Sequence, residues 1–360
     1  MTNDKIYVIA EQINKNYYVA LEELAREKKT TIKYSRFSKF LLIRNVFSSK
    51  KIHFEFAIVD LIILIYLLFF SKKGKTIIFS IAPFDYRLIF LNRLAYRHQV
   101  FYHHSWPYWD GSSYPRKKFA KRQLTQVSWK RFLERQVKGI FIGTEKAKTS
   151  LIENYQISVP ISVVYHALPE YLVASYPTLR KDKIRFLFVG RLIKAKGLEI
   201  LLKLIDQLPE DQFEFGFIGK GHYESTLIQI EKQRHNVKYY GFLEDKSELY
   251  RAMADYDFLL LPSLRKYNFE ELFGIVLIEA MRLGVIPIAT NHAGPSEIIQ
   301  NGKNGFLIED IQAEKDLFQI VSTLRESEKD MGYLQKNAIA RSGDFLLSEI
   351  QKRWSLPFND

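Results

Sequence analysis

The feature that most constrains this chain is a rhythm. Short runs of β-branched and aromatic residues alternate with longer runs of helical spacing, and the pattern occurs in two successive series. In the first, Lys5–Ala10, Lys75–Ile81, Val100–His104, Gly139–Gly143 and Ser162–Tyr165 read as strands, and Tyr17–Lys28, Phe54–Phe70 and Phe84–Arg97 as helices. The second begins at Ile184, with strands over Ile184–Val189, Phe213–Ile218, Val237–Tyr240, Phe258–Leu261 and Val285–Ala289. Strands buried on both faces read as continuous apolar runs, and such alternation predicts parallel sheets wound on both sides by helices. Pro169–Lys183 is polar and separates the two series. The expected organisation is a first Rossmann-like domain over 1–172 and a second over 173–343. A C-terminal helix over 344–360 is expected to cross back to the first. Two facing α/β domains imply a central cleft, and ligands of such sheets bind at the carboxyl ends of the strands.

Charge divides the chain in the same place. Residues 1–175 hold 28 Lys+Arg against 13 Asp+Glu, whereas residues 176–360 hold 25 against 27, so the net +13 belongs to the first half. Pro115–Lys138 holds nine basic residues and one acid, Glu134, interleaved with Phe119, Leu124, Val127, Trp129, Phe132 and Val137. This reads as one or two basic amphipathic helices. A solvated surface helix has this composition, and so does an element that meets an anionic membrane or a polyanionic acceptor. No recognition motif points to nucleic acid. Leu61–Phe70, the longest apolar run, is half the length of a bilayer span, which needs about 20 residues, and reads as a core helix. The polar start Met1–Lys5 does not resemble a secretory signal. With no cysteine, thiolate metal sites are excluded.

Three motifs in the second half carry chemistry. Gly190-Arg191…Lys196-Gly197 follows a strand and opens a helix. Arg191 and Lys196 are spaced to hold a diphosphate, one as a fork and the other as a point charge, or else to stand as solvated cations on a loop. Gly219-Lys220-Gly221 ends the next strand and admits a phosphate close to the backbone, or is a plain turn. The strongest is Glu271-Leu272-Phe273-Gly274-Ile275-Val276-Leu277-Ile278-Glu279. A helix starting at Gly274 turns the amides of Phe273, Gly274 and Ile275 towards anionic oxygens. Glu279 lies roughly 7.5 Å further along at about 1.5 Å per residue, so the two carboxylates can serve the two ends of an elongated ligand. A carboxylate amid Ile278, Ala280 and Met281 needs hydrogen bonds, which sugar or ribose hydroxyls supply.

Taken in order with Gly241-Phe242, Leu261-Pro262-Ser263, Gly284-Val285-Ile286-Pro287, Glu297 and Asn304-Gly305-Phe306-Leu307, these motifs resemble the C-terminal domain of retaining glycosyltransferases of GT-B fold, family 4 type, over roughly 184–310. The resemblance implies a nucleoside-diphosphate sugar as donor substrate, UDP-sugar favoured, with no metal and no other cofactor. It places Arg191 and Lys196 on the diphosphate beside Gly190 and Gly219, and Glu279 on the ribose. It places Glu271 on the donor sugar and the backbone of Phe242 and Leu243 at the nucleobase. The amides of Phe273, Gly274 and Ile275 complete the phosphate cradle. In the first half it favours His104, then His103, at a strand end beside the acceptor or the donor sugar, each also readable as a core histidine. With His103, Trp106 and Asp110 are acceptor-side candidates, and packing would equally explain Trp106 and Asp110. The sequence departs from the family at Glu11-Gln12-Ile13-Asn14, where a Gly-rich loop is usual, and at His166-Ala167, where Asn-Gly is usual. Asp255-Tyr256-Asp257 has the spacing of a metal-binding DxD but reads as a turn into a buried strand. The expected function is transfer of a hexose, with retention, to a hydroxyl of a lipid-linked glycan in bacterial surface polysaccharide synthesis. The expected location is cytoplasmic, on the inner face of the membrane, held there by the basic first domain. A sugar-nucleotide epimerase and a non-catalytic basic scaffold are the alternatives.

Overall fold

The computed structural model describes residues 5–11, 13–36, 52–115, 119–172, 183–265, 269–324 and 328–358. The chain divides into two compact units, residues 1–167 with 347–360, and residues 168–346. The sequence places the first boundary five residues later, at 172/173, inside the polar segment. Most of that segment, 173–182, lies outside the described residues.

The first unit is built on β1 (Lys5–Ala10), α1 (Val19–Glu27), β2 (Thr31–Arg36), α2 (Ile52–Ile65), β3 (Thr76–Ser80), α3 (Leu88–Ala95), β4 (Gln99–His104), α4 (Gln123–Arg131), β5 (Gly139–Ile142), α5 (Glu145–Asn154) and β6 (Ile161–Val163). Its six strands are all parallel, in the order β2-β1-β3-β4-β5-β6. Side chains alternate across the sheet with period 2. Ile6, Val8, Ile78, Phe101 and Phe141 pack beneath Tyr18 and Leu21 of the α1 region and beneath Ile350 and Trp354 of the C-terminal segment. Tyr7, Ile9, Ile77, Phe79, Tyr102 and Ile140 pack beneath Leu64, Leu67, Leu88, Leu91, Trp129 and Phe132 on the opposite face. The C-terminal helix Leu347–Arg353 therefore belongs to the first unit and lies against α1.

The second unit holds β7 (Ile184–Val189), α6 (Leu198–Gln207), β8 (Phe213–Ile218), α7 (Glu224–Gln233), β9 (Val237–Tyr239), α8 (Lys246–Ala254), β10 (Phe258–Leu261), α9 (Ile275–Arg282), β11 (Ile286–Thr290), α10 (Pro295–Ile298), β12 (Phe306–Ile308), α11 (Ala313–Thr323) and α12 (Glu328–Ser342). Its order is β12-β11-β10-β7-β8-β9, again all parallel. The order reverses direction between β7 and β10, so the loops that follow these two strands meet at the switch point where open α/β sheets bind ligands. The corresponding point of the first unit lies between β1 and β3.

Two strands escape the sequence reading, β2 and β12. Both lie at sheet edges. β2 alternates exposed and covered residues, and β12 is three residues long, so neither shows the apolar run of a central strand. Helix ends differ from expectation: α3 spans Leu88–Ala95 rather than Phe84–Arg97, and two other helices end in wider turns. α2 continues as a π-helical turn, Tyr66–Phe70, and α4 as another, Phe132–Gln136. The run Leu61–Phe70 is not wholly core, because only one stripe of it, Leu64 and Leu67, is buried. In the basic stretch, 116–118 lie outside the described residues, including Lys117 and Lys118. Its helix begins at Gln123, with Thr125 and Trp129 facing inward.

Candidate active site

At the switch point of the second unit, the loop after β7 carries Arg191 and Lys196, and the segment after β10 carries Glu271. Lys196 Nζ and Glu271 Oε2 form an ion pair, with both side chains mostly covered. The pair is supported from several sides. Ser263 Oγ lies 3.4 Å from the same carboxylate oxygen. The Glu271 amide donates to His292 Nδ1 at 3.1 Å. The Gly294 amide donates to the Glu271 carbonyl at 3.0 Å. The Lys196 ammonium also sits 5.2 Å from the Phe269 ring centroid, within cation–π range. His292 is buried, and burial lowers its pKa, so the ring stays neutral and can accept from the Glu271 amide. Arg191 is exposed and forms no ion pair with a described residue.

Two glycines shape this region. A Cβ on Gly219 would stand 1.8 Å from the Gly190 carbonyl oxygen, so the loops after β7 and β8 close on each other only without one. Gly219 thus has a packing reason of its own. Gly274 is the N-cap of α9 in the left-handed region, at φ 83°, and no side chain caps the helix. Its neighbour Phe273 turns its ring onto Phe345, 6.0 Å between centroids, so only the backbone of Phe273 is left for a ligand.

Glu279 is the fifth residue of α9 and is buried. Its Oε1 accepts from Lys246 Nζ at 2.6 Å and from Tyr250 OH at 3.0 Å. The bonds that a buried carboxylate requires are thus met by α8. Burial and the Glu279 charge raise the Tyr250 pKa, which keeps its hydroxyl a donor. Phe242 and Leu243 lie on the loop before α8. The Phe242 ring is exposed, with the Lys220 ammonium 4.4 Å from its centroid. Asp257 of the DxD-like triplet receives the Arg185 guanidinium at 2.8 and 3.1 Å and the Arg185 amide at 2.9 Å, all inside the sheet. It is a structural carboxylate.

In the first unit, His103 is enclosed. Its Nδ1 lies 3.3 Å from Tyr18 OH and 3.4 Å from Ser80 Oγ, and its ring packs on Trp354. Burial, with the neighbouring His104 and His166, lowers its pKa to about 3. His104 is half-buried. Its Nδ1 accepts from the Trp106 amide at 2.9 Å, and burial lowers its pKa to about 4. Trp106 is buried, and its indole N–H donates to the Tyr108 carbonyl at 2.9 Å. Its ring packs, so it offers little for stacking. Asp110 is exposed and caps a turn through the Ser112 amide and hydroxyl, which lower its pKa. The first unit's switch point holds Arg87 between Asp85 and Glu11, so a buried ionic triad occupies the place where a Gly-rich loop would stand. Lys246, Tyr250, Ser263 and His292 are the site residues that sequence reasoning missed. Only Ser263 had a signal, in Leu261-Pro262-Ser263. A cavity of about 810 Å³ lined by Ile200, Leu264, Arg265, Asp310 and Phe318 contains none of these side chains.

Residues 176–341 match the family described as glycosyl transferases group 1. The match falls within the second unit, residues 168–346. An uncharacterized 41.2 kDa protein of the cps region of Klebsiella pneumoniae is 38% identical over 137 residues, 38% of this chain and 36% of that protein. The amylovoran biosynthesis glycosyltransferase AmsK of Erwinia amylovora is 30% identical over 154 residues, 41% of this chain and 37% of AmsK. The chain thus spans little more than a third of the length of these relatives. Whole-chain likeness comes from solved structures. Anabaena Alr3699/HepE, in complex with UDP, superposes with a TM-score of 0.66 at 17% identity, covering 97% of both chains. The lipopolysaccharide outer core galactosyltransferase WaaB superposes at 0.68 with 18% identity, covering 98% of this chain and 99% of that one. The two-unit fold is therefore of the GT-B type.

Proposed function

We propose that this chain is a retaining glycosyltransferase that moves a hexose from a nucleoside diphosphate to a hydroxyl of a glycan in bacterial surface polysaccharide synthesis. The observation that carries the reading is the Lys196–Glu271 pair at the switch point of the unit that matches the group 1 family, beside the uncapped N-terminus of α9. When the bond from C1 of the sugar to the diphosphate oxygen breaks, negative charge gathers on the leaving phosphate. Lys196, Arg191 and the α9 amides face that charge as it grows, where preorganised electrostatics lowers a barrier most. Glu271 accepts from the sugar hydroxyls and fixes C1 against the acceptor oxygen. The acceptor oxygen then bonds to C1 on the face the phosphate leaves, and its proton passes to the phosphate oxygen. Glu279, held by Lys246 and Tyr250, accepts from the ribose, and the Phe242 loop meets the base. The presence of UDP in the Anabaena neighbour supports a uridine donor. His104 and Asp110 are the acceptor-side groups of the first unit. A lipid-linked acceptor places the enzyme at the inner face of the membrane, with the basic first unit as its attachment. This chemistry asks for no metal, so turnover is expected to persist in a chelator.

The test is thermal shift across UDP-, GDP- and ADP-sugars followed by transfer assays. A donor that binds should raise Tm by mass action. Donor binding with no transfer to any glycan would leave a binder, and product formed without acceptor would point to an epimerase. Glu271→Ala and Lys196→Ala should each reduce kcat about 100-fold or more, the usual loss when a group that meets transition-state charge is removed.

A further inference from the structure

From Val59 onward, α2 and its π-helical extension have two unlike faces. Leu64 and Leu67 point into the core. Val59, Ile62, Ile65, Tyr66, Phe69 and Phe70 point outward, and the last two are 64% and 76% exposed. The exposed positions 59, 62, 66 and 69 recur every three or four residues, which is one side of a helix. The outward stripe carries no charge and a single hydroxyl, that of Tyr66, whereas the second face of a soluble amphipathic helix is charged or polar. The helix then runs directly into Ser71-Lys72-Lys73, with both lysines exposed.

The neighbouring helices continue the pattern. α3 touches both the end of α2 and α4. It presents exposed Phe90 beside exposed Arg93. On α4, Leu124 and Val127 are exposed among Lys121, Arg122, Lys130 and Arg131. From Val59 to the end of α4, no carboxylate within these three helices is exposed, since Asp60 is buried. Large exposed apolar groups rimmed by polar residues mark an interaction surface. A rim of cations alone complements an anionic lipid layer, whereas a protein partner of mixed charge would leave those cations without uniform counterparts. No helix among the described residues is long and apolar enough to cross a membrane, so the geometry is one of lying on the surface and dipping in.

We infer that Val59–Phe70 is the element by which this chain enters an anionic lipid surface, with Phe69 and Phe70 in the acyl boundary and Lys72, Lys73, Arg93 and the α4 cations on the headgroups. Aromatic and aliphatic insertion with basic flanks is the physical recipe of an interfacial helix. The inference rests on the peripheral-membrane part of the proposed function, and moves its centre from the basic 115–138 stretch to an apolar one.

The experiment is sedimentation of the full chain with vesicles of phosphatidylcholine alone or mixed with phosphatidylglycerol. Wild type should bind the mixed vesicles. Phe69→Ser/Phe70→Ser should lose about tenfold or more in partitioning at about 0.15 M salt, and Phe69→Leu/Phe70→Leu should retain it. Lys121→Gln/Arg122→Gln should lose less, and should recover at low salt. Unchanged Tm and unchanged thermal shift with the donor sugar nucleotide show that the variants are folded and keep the donor reading separate. If the serine variant binds like wild type while the glutamine variant does not, the inference falls and the membrane reading stands. If wild type binds neither vesicle, both fall. A wild-type dimer that the serine variant turns into a monomer, with no vesicle binding, would make the stripe a protein interface and overturn the inference.

Discussion

Glu279 shows how a single residue can be read in two ways. Its position in the sequence asks for a partner with hydroxyls, yet Lys246 and Tyr250 already satisfy one of its oxygens. Lys246 is half exposed, so it can shift to a ligand while Tyr250 holds the carboxylate. Lys246→Met should therefore raise KM for the donor by about tenfold or more with a smaller change in kcat, since charge-assisted hydrogen bonds contribute roughly 1.5–3 kcal/mol. Initial rates across donor concentration check this. The buried histidines give a pH prediction. His103 and His104 have folded pKa values of about 3 and about 4 against 6.5 for the free group. The unfolded chain binds protons that the folded chain refuses. The stability they contribute is complete above about pH 6.5 and is lost as pH falls towards 4, at about 1.4 kcal/mol per unit for each. Urea unfolding at pH 7 and pH 5 should show this loss, and His103→Phe should reduce the slope.

At the scale of elements, the loops after β7 and β8 and the start of α9 are positioned by close contacts that admit no alternative side chain. Gly219→Ala would press a methyl against the Gly190 carbonyl. It should destabilise the second unit by about 1–3 kcal/mol, as overpacking does, and weaken donor binding, with thermal denaturation and calorimetry as the readouts. The Arg185–Asp257 pair ties β7 to the entrance of β10 inside the sheet. Asp257→Ala leaves a buried guanidinium unpaired and should cost about 3–5 kcal/mol, measured by urea unfolding. A carboxylate serving catalysis instead would reduce turnover with stability preserved. Central strands such as β1, β5, β10 and β11 were legible because burial on both faces writes an apolar run into the sequence. Edge strands β2 and β12 were not, because a half-covered strand resembles a loop.

At the scale of the whole molecule, the C-terminal segment completes the first unit. Trp354 packs on Phe141 at 4.4 Å and on His103 at 5.1 Å. Trp354→Ala should cost about 3–5 kcal/mol as a core cavity, and unfolding by urea should show the loss. The two-part organisation and the class of both sheets were written in the sequence, because parallel strands, helix starts and turns each impose a local residue pattern. The sequence also placed Lys196 and Glu271 in loops, Gly274 at a helix start and Glu279 within that helix, and the fold brings the loops and the helix start to the carboxyl ends of the central strands of one sheet. Tertiary structure alone decided which side chains share a bond. Lys196 and Glu271 are 75 positions apart and pair only because β7 and β10 are neighbours. Lys246 reaches Glu279 only because α8 lies beside α9. The same limit explains α2, whose apolar run suggested a core helix. Hydrophobicity records what a residue would prefer to bury, and only the packed sheet shows that one face of that helix meets no neighbour among the described residues.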